Sequence, residues 1–445
     1  MPRMIIYSYS LKVLSLNSET LKTDFIKPMK NYIALFILLL CCEISFSQTL
    51  TGKVINADSK EPLSAASVYL SNTSIGVNTN KKGVFELKVF NGGKYKLVVS
   101  YVGYETFVKL INFSHLPDDL IIPLKPKLNK LDDIVLEPYE INGWAKWGRF
   151  FTDLFIGTAS YTWDCVIKNP EIIKFRNSKK DNKLYAYAFE PLIIKNNSLG
   201  YDIKYSLEEF EFDFSTKIVT FNGYPLFKDM AIDHPSKARR WQEKRKNVYY
   251  GSLTHFMRAF FANKLEDEGF EMRSLAYVPN VAKFRAIELY KIHPDSIIVK
   301  NSDTVYHRLN FNSLPTAFTY NKSDSTDYFK KAVVLPDTVI SDMIIKADSI
   351  GFAIDSSTAG LYTKDSLEVN YLLKEIPNEY KRLTAKHRHE TFPVSQFTFI
   401  NHKPIEISRN GNYFGPHDLK ITGYWAWWET ISTMLPFDYW PPKKE

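Results

Sequence analysis

Between Leu50 and Pro126 apolar and polar residues alternate in short runs, LTGKVIN, ASVYLS, GVFELKVF, KYKLVVSY and YETFVKLI. A period of two puts one side of each run in a core and the other in water, so each predicts a strand. Asp58-Ser59-Lys60-Glu61-Pro62, Asn80-Lys81-Lys82-Gly83 and Asn91-Gly92-Gly93 separate them with residues that turns require. Short strands at this spacing predict a small β-sandwich. In the stretch VVSYVGYETF the alternation of Val99 and Tyr101 runs up to Gly103. A glycine there supplies a positive φ or room for a close backbone approach.

The pattern changes beyond residue 140. Trp144, Trp147, Phe151 and Phe155 fall three and four apart, the spacing of one helix face. Such a stripe predicts core or a domain interface, with a membrane-surface anchor as the rival. Residues 170–227 return to strands. In YDIKYSLEEFEFDF apolar residues alternate at Tyr201, Ile203, Tyr205 and Leu207, then at Phe210, Phe212 and Phe214, and Ser215-Thr216-Lys217 leads into KIVTFNGYPLF, which predicts a hairpin.

Pro235 to Glu268 predicts a helix pair, SKARRWQEKRKNVYY punctuated by Gly251, then a second helix with Ser252 as N-cap and Gly269 as its stop. After residue 280 strands and turns resume, and Asn410-Gly411 between IEIS and NYF is a hairpin signal. Trp425, Trp427, Trp428 and Trp440 in the closing stretch are expected to be buried, with sugar stacking or a membrane interface as rivals. The expected fold is mainly β with minor helices. A sandwich over 48–127 and a linker over 128–141 precede a larger β-rich α+β region, made of an α+β part with the hairpin and basic helix pair (142–280) and a β-rich C-terminal part (281–445).

With 445 residues, 45% of them apolar, the chain can bury its cores without metals or disulfides. YIALFILLLCC, residues 32–42, is too short for a spanning helix of about 20 residues. It follows Lys30 and precedes Ser45-Phe46-Ser47, so residues 29–47 are expected to be a secretory signal and Gln48 the mature N-terminus. A lipoprotein signal acylated on Cys41 or Cys42 is the rival. Residues 1–28 show no sustained period and are expected to reflect a mis-assigned start. Loss of residues 1–47 takes five basic and three acidic side chains and lowers the net charge from +8 to +6. That is an ordinary surface balance, and an exported protein is not expected to meet nucleic acid. Of three cysteines, only Cys165 lies outside the signal, in the apolar context of a small buried hydrophobe.

Gly52-x-Val54, Glu61-Pro62-Leu63, Ala66-x-Val68, Gly76-x-x-Thr79, Gly83-x-Phe85 and Ser100-Tyr101-Val102-Gly103-Tyr104 resemble the carboxypeptidase-regulatory-like, or transthyretin-like, domain of bacterial cell-envelope proteins. The resemblance implies a seven-stranded prealbumin-like sandwich in which Ser-Tyr-x-Gly-Tyr is a strand followed by a bend. In metallocarboxypeptidases this module follows a large catalytic domain with a His-x-x-Glu zinc pair and a later histidine. Here His387-Arg388-His389-Glu390 is the only such spacing, and His402 and His417 follow too closely to resemble the third ligand. His387, His389 and Glu390 are therefore weak metal candidates, and no cofactor is expected. Asp132-Asp133-Ile134-Val135-Leu136 resembles the segment joining the module to the plug of TonB-dependent receptors, but too little chain follows for a 22-stranded barrel. The stretch from residue 142 onward resembles an uncharacterised companion region of such modules, which brings no activity with it.

The sequence carries no Gly-x-Ser-x-Gly elbow, Walker loop, dinucleotide fingerprint or complete zinc set. Arg239, Arg240, Arg245, Tyr249, Tyr250, His255 and Arg258 form the candidate polar or anion site, with a solvated face as the plain alternative. The expected role is an exported, non-catalytic binding or scaffolding protein of the periplasm, outer membrane or cell surface, with an envelope protein or glycan as partner. A cell-envelope hydrolase, peptidase or glycosidase, is one alternative. An accessory component of an outer-membrane uptake system, peripherally attached, is another.

Overall fold

The computed structural model describes residues 48–89, 93–113, 115–117, 120–127, 138–279, 297–300, 303–306, 338–355, 357–383 and 390–442. The expectations for the start, the signal and the receptor-like linker segment lie outside these residues.

The first seven strands are β1 (Gln48–Asn56), β2 (Ser67–Leu70), β3 (Gly76–Asn78), β4 (Val84–Val89), β5 (Lys94–Ser100), β6 (Phe107–Asn112) and β7 (Leu120–Leu124). They form two sheets, ordered β4-β1-β7 and β3-β2-β5-β6. The alternation seen in the sequence becomes alternation in space, with Phe85, Leu87 and Val89 of β4 buried and the residues between them exposed. Their inner faces share a core with Leu50, Val54, Val68, Leu97, Val99 and Ile122. The chain is mostly strand, as expected, and its first part is the seven-stranded sandwich. Gly103 has φ +81° and lies in the bend after β5, where its carbonyl accepts from Lys127 N at 2.8 Å. The stretch that ends there is architecture.

Helix α1 (Gly143–Phe155) follows. Phe151 and Phe155 are fully buried, and Trp144 and Trp147 pack against the same core. Strands β8 (Cys165–Ile167), β9 (Ile173–Ser178), β10 (Lys183–Ala188), β11 (Leu192–Asn196), β12 (Tyr201–Asp213) and β13 (Ile218–Asp229) make a six-stranded sheet. It runs β8-β11-β12-β10-β9, with β13 along the other edge of β12. The apolar alternation in β12 changes phase because a β-bulge sits between Leu207 and Glu209, so Tyr205 and Phe210 both point into the core.

Helix α2 (Ala238–Tyr249) begins after a 3-10 turn at Pro235–Lys237, and α3 (Leu253–Phe261) follows Gly251, whose φ is +81°. Ser252 caps α3 as expected, its Oγ accepting from His255 N at 3.1 Å. The second helix stops at Phe261, eight residues before Gly269. Asn263, at φ 52°, turns the chain there and closes the end with its N–H on Phe260 O. Gly269 instead admits the chain into the next strand.

Strands β14 (Phe270–Pro279), β15 (Ile297–Lys300), β16 (Asp303–Tyr306), β17 (Thr338–Ile345), β18 (Gly351–Asp355), β19 (Thr358–Leu361) and β20 (Ser366–Tyr371) come next. The short helix α4 (Asn378–Lys381) leads to β21 (Val394–Phe399), β22 (Ile405–Ser408), β23 (Tyr413–Phe414), β24 (Leu419–Gly423) and helix α5 (Tyr424–Trp428). They build a five-stranded sheet β17-β14-β20-β21-β24, a four-stranded sheet β18-β19-β22-β23 and the pair β15-β16. Asn410-Gly411 turns β22 into β23, with Gly411 at φ +84°. Trp425 and Trp428 are buried, Trp427 is half-buried, and Trp440 is exposed. A single core cluster runs from Phe151 to Leu435, spanning the segments on both sides of residue 280.

The sandwich is bonded to β13 and to the C-terminal segment. Tyr69, Val98 and Tyr224 form a small shared core of their own. Tyr69 Oη donates to Tyr224 O at 3.1 Å, and Thr73 pairs with Leu226 as a parallel β-bridge. Backbone hydrogen bonds join Asn72 N to Pro225 O, Phe227 N to Thr73 O, and Phe437 N to Asn72 O at 2.7–2.9 Å. Ser74 donates to Asp438 from both its backbone N and its hydroxyl, and Lys94 pairs with Glu406 at 2.9 Å. Gln48–Glu445 forms one compact unit.

Candidate functional site

The structure separates the candidate residues of the basic helix pair into surface and inward-facing groups. Arg239 and Arg240 are exposed at the start of α2. Arg245, one turn beyond the buried Trp241, points inward with both ends of its guanidinium on Asp229 at 2.7 and 2.8 Å. It also donates to Leu199 O at 2.7 Å and Gly200 O at 2.9 Å, and stacks 3.8 Å from the Tyr201 ring centre. Burial pushes the Asp229 carboxyl up, but the hydrogen bonds from Arg245 and Ala231 outweigh it and leave it below the usual range. Arg258 donates to Asn410 O, Tyr439 O and Phe437 O at 2.8–2.9 Å and stacks under Trp440. These two arginines are structural clamps, one fixing α2 to the six-stranded sheet and one fixing α3 to the C-terminal segment.

His255 is enclosed by the rings of Tyr249, Tyr250, Phe270 and Tyr371 at 4.9–5.8 Å. Gly251 N–H donates to Nδ1 at 3.2 Å, which puts the proton on Nε2, 3.1 Å from Glu268. Both ring nitrogens are thus engaged. Of the proposed metal ligands, His387 and His389 lie outside the described residues, and Glu390 is half-buried. Among the described residues no three His, Cys, Asp or Glu side chains gather as a metal would require.

A second pair of ionisable groups escaped sequence reasoning. Glu429 follows α5 and accepts from Leu253 N at 2.7 Å, at the N-terminus of α3. Burial raises its carboxyl from 4.5 to about 7, against the opposing effects of that hydrogen bond and the charge of Lys374. Lys374 donates to Asn247 O at 2.9 Å and Tyr250 O at 3.3 Å and lies 4.6 Å over the Trp428 ring. Burial lowers its amine from 10.5 to about 8, with Glu429 pulling the other way. Both side chains keep partial solvent access, and Lys374 lines an open depression of about 310 Å³ with Leu372, Leu373, Glu375, Thr391 and Phe392. Burial displaces the acid upward and the amine downward, toward neutral pH, and the two act on each other through charge without forming an ion pair. The signal in the sequence was a lone carboxylate inside WAWWET, an aromatic run with no basic neighbour to balance it.

The model of the CarboxypepD_reg-like domain family matches residues 50–136, so the sandwich is such a domain. No curated protein matches the chain. Among solved structures, a Bacteroides fragilis protein of unknown function, described as membrane-associated, aligns at 11% identity. The alignment covers 81% of this chain and 93% of that one, with a TM-score of 0.15. Among the described residues no helix is long and apolar enough to cross a membrane, which leaves crossing by strands unaddressed.

Proposed function

We propose that this is an exported cell-envelope protein with a non-catalytic binding or scaffolding role, in which the CarboxypepD_reg-like domain is a built-in part of a larger binding body. The observation that carries the reading is the junction. A module that served as a detachable regulator would rest on side-chain contacts, whereas this one shares backbone hydrogen bonds and a β-bridge with β13 and the C-terminal segment. The internal use of Arg245, His255 and Arg258 supports it further, because side chains that resemble a polar site act as clamps. Export rests on the signal-like stretch 29–47. The test is cell fractionation, followed by assay of the purified full chain against peptide and polysaccharide substrates. Recovery in the envelope without hydrolysis is expected, and turnover of either substrate class would overturn the reading.

One observation favours a second reading, a hydrolase. Glu429 and Lys374, both displaced toward neutral pH by burial, supply an acid–base candidate, and Lys374 lines an open depression. If turnover were found, Glu429→Gln would abolish it under that reading, and unchanged turnover would exclude the pair.

A further inference from the structure

The six-stranded sheet buries one face of its β9 edge and leaves the other open. Ile173, Phe175, Leu184 and Ala186 go into the core. On the opposite face the register sets Arg176 beside Tyr185 and Lys174 beside Tyr187. The row of rings continues past the end of β10, where Phe189 is 60% exposed, and Tyr139, 38% exposed, leans across both. Tyr185 and Tyr187 lie 6.4 Å apart at 28°, and Tyr139 stands 5.7 Å from Tyr187 and 6.4 Å from Phe189. Among the described residues nothing packs over the outer sides of Tyr139 and Phe189 closely enough to bury them.

Arg176 ties the row together. Its guanidinium sits 5.0 Å from the Tyr185 ring and 5.4 Å from the Tyr187 ring, and Nη2 donates to Tyr187 Oη at 2.7 Å. Nε is buried without a hydrogen-bond partner, and among the described residues no carboxylate pairs with this cation. An arginine and two tyrosines across a strand pair could serve only to stabilise the sheet edge. That explanation covers Arg176, Tyr185 and Tyr187, but it leaves without a purpose two further exposed rings and a cation with no ion-pair partner, next to exposed Lys174; the carboxylates acting on Tyr185 from the other side, Glu211 and Asp181, are held by Lys183 and Ser178.

The chemistry of the strip selects its occupant. It is one ring wide, with Lys174 on one flank and the Lys183–Glu211 ion pair on the other. That is too narrow for the apolar centre of a protein interface, which needs roughly 800 Å² per partner. A polysaccharide is narrow, repeats along its length, offers flat C–H faces to aromatic rings and directs polar groups to the sides. Carboxylate or sulfate groups would meet Arg176 and Lys174. We propose that the strip of Tyr139, Tyr185, Tyr187 and Phe189, with Arg176 and Lys174, binds an acidic polysaccharide chain. The proposal rests on the reading of the protein as a binding protein.

The test is affinity electrophoresis of the purified full chain in native gels containing alginate, dextran sulfate or neutral dextran. Alginate or dextran sulfate should retard the chain more than neutral dextran. Phe189→Ala and Tyr139→Ala, at exposed positions, should weaken that binding at least tenfold, and Arg176→Gln should remove the preference for the acidic polymers. No retardation by either acidic polymer overturns the proposal, as does equal retardation by neutral dextran or retention unchanged in Phe189→Ala. Capture of an envelope protein that is lost in Phe189→Ala would assign the strip to a protein instead, leaving the binding reading intact. Cleavage of the bound polymer would do the reverse, upholding the strip and overturning the non-catalytic role.

Discussion

Glu429→Gln separates charge from shape at the most displaced carboxyl in the site. The amide keeps an oxygen for Leu253 N–H and removes the buried charge. Burial is the main reason that the Glu429 carboxyl moves from 4.5 to about 7. A folded-state value above the unfolded one means that the folded chain holds the proton more tightly. The stability this contributes is complete below about pH 4.5 and is lost as pH rises through about 7. At about 1.4 kcal/mol per tenfold change, a displacement of this size corresponds to about 3 kcal/mol. Partial solvent access reduces the expected effect to about 1–2 kcal/mol.

Lys374 acts from the other side of neutrality. Its folded value lies below the unfolded one, so its contribution is present above about pH 10.5 and is lost as pH falls through about 8. Between pH 7 and 8 both groups are charged and both disfavour the fold, offset in part by their attraction. Urea unfolding of wild type and variant at about pH 4 and about pH 8 reads this directly. At the lower pH the two should agree, and at the higher the variant should be more stable by about 1–2 kcal/mol. An equal change at both pH values, or a loss of stability at pH 8, would refute burial as the cause of the Glu429 displacement.

Two other outcomes are expected of the buried groups. Arg245→Met leaves Asp229 without its cation and should cost about 2–3 kcal/mol in urea unfolding, below the range for a fully buried pair because Asp229 keeps a third of its side-chain surface. Adding Asp229→Leu should recover part of that loss, which a pure packing defect would not allow. The Cys165 thiol is pushed up to about 12 by burial, so a thiol-reactive dye should label the native chain negligibly at pH 8 and stoichiometrically in denaturant.

Strands were legible in the sequence wherever one face is buried and the other wet. The sandwich and the β12–β13 hairpin announced themselves through a period of two, and the break in that period between Leu207 and Phe210 took the register to explain as a bulge. Ser252 as a cap and Asn410-Gly411 as a turn were legible because their chemistry is local. The stop of α3 was misplaced because Asn263 adopts the left-handed conformation that was assigned to Gly269. The site was the least legible part. Arg245 and Arg258 look like surface cations in a basic run, and their partners Asp229, Phe437 and Tyr439 are set by tertiary structure. Glu429 and Lys374 are 55 residues apart along the chain and come together only through the packing of α3 and α5. The ring row was hidden too, since Tyr185 and Tyr187 alternate like any strand and only the register shows which face they occupy.

Under the proposed function the CarboxypepD_reg-like domain is an inseparable part of a binding body. Differential scanning calorimetry of the purified full chain reads that unity, with Tyr69→Phe carried alongside to loosen the junction at Tyr224 O and Ser206. One cooperative transition is predicted for both proteins, shifted as a whole to lower temperature in the variant. Two resolved transitions in the wild type, with only one of them moving in Tyr69→Phe, would contradict it.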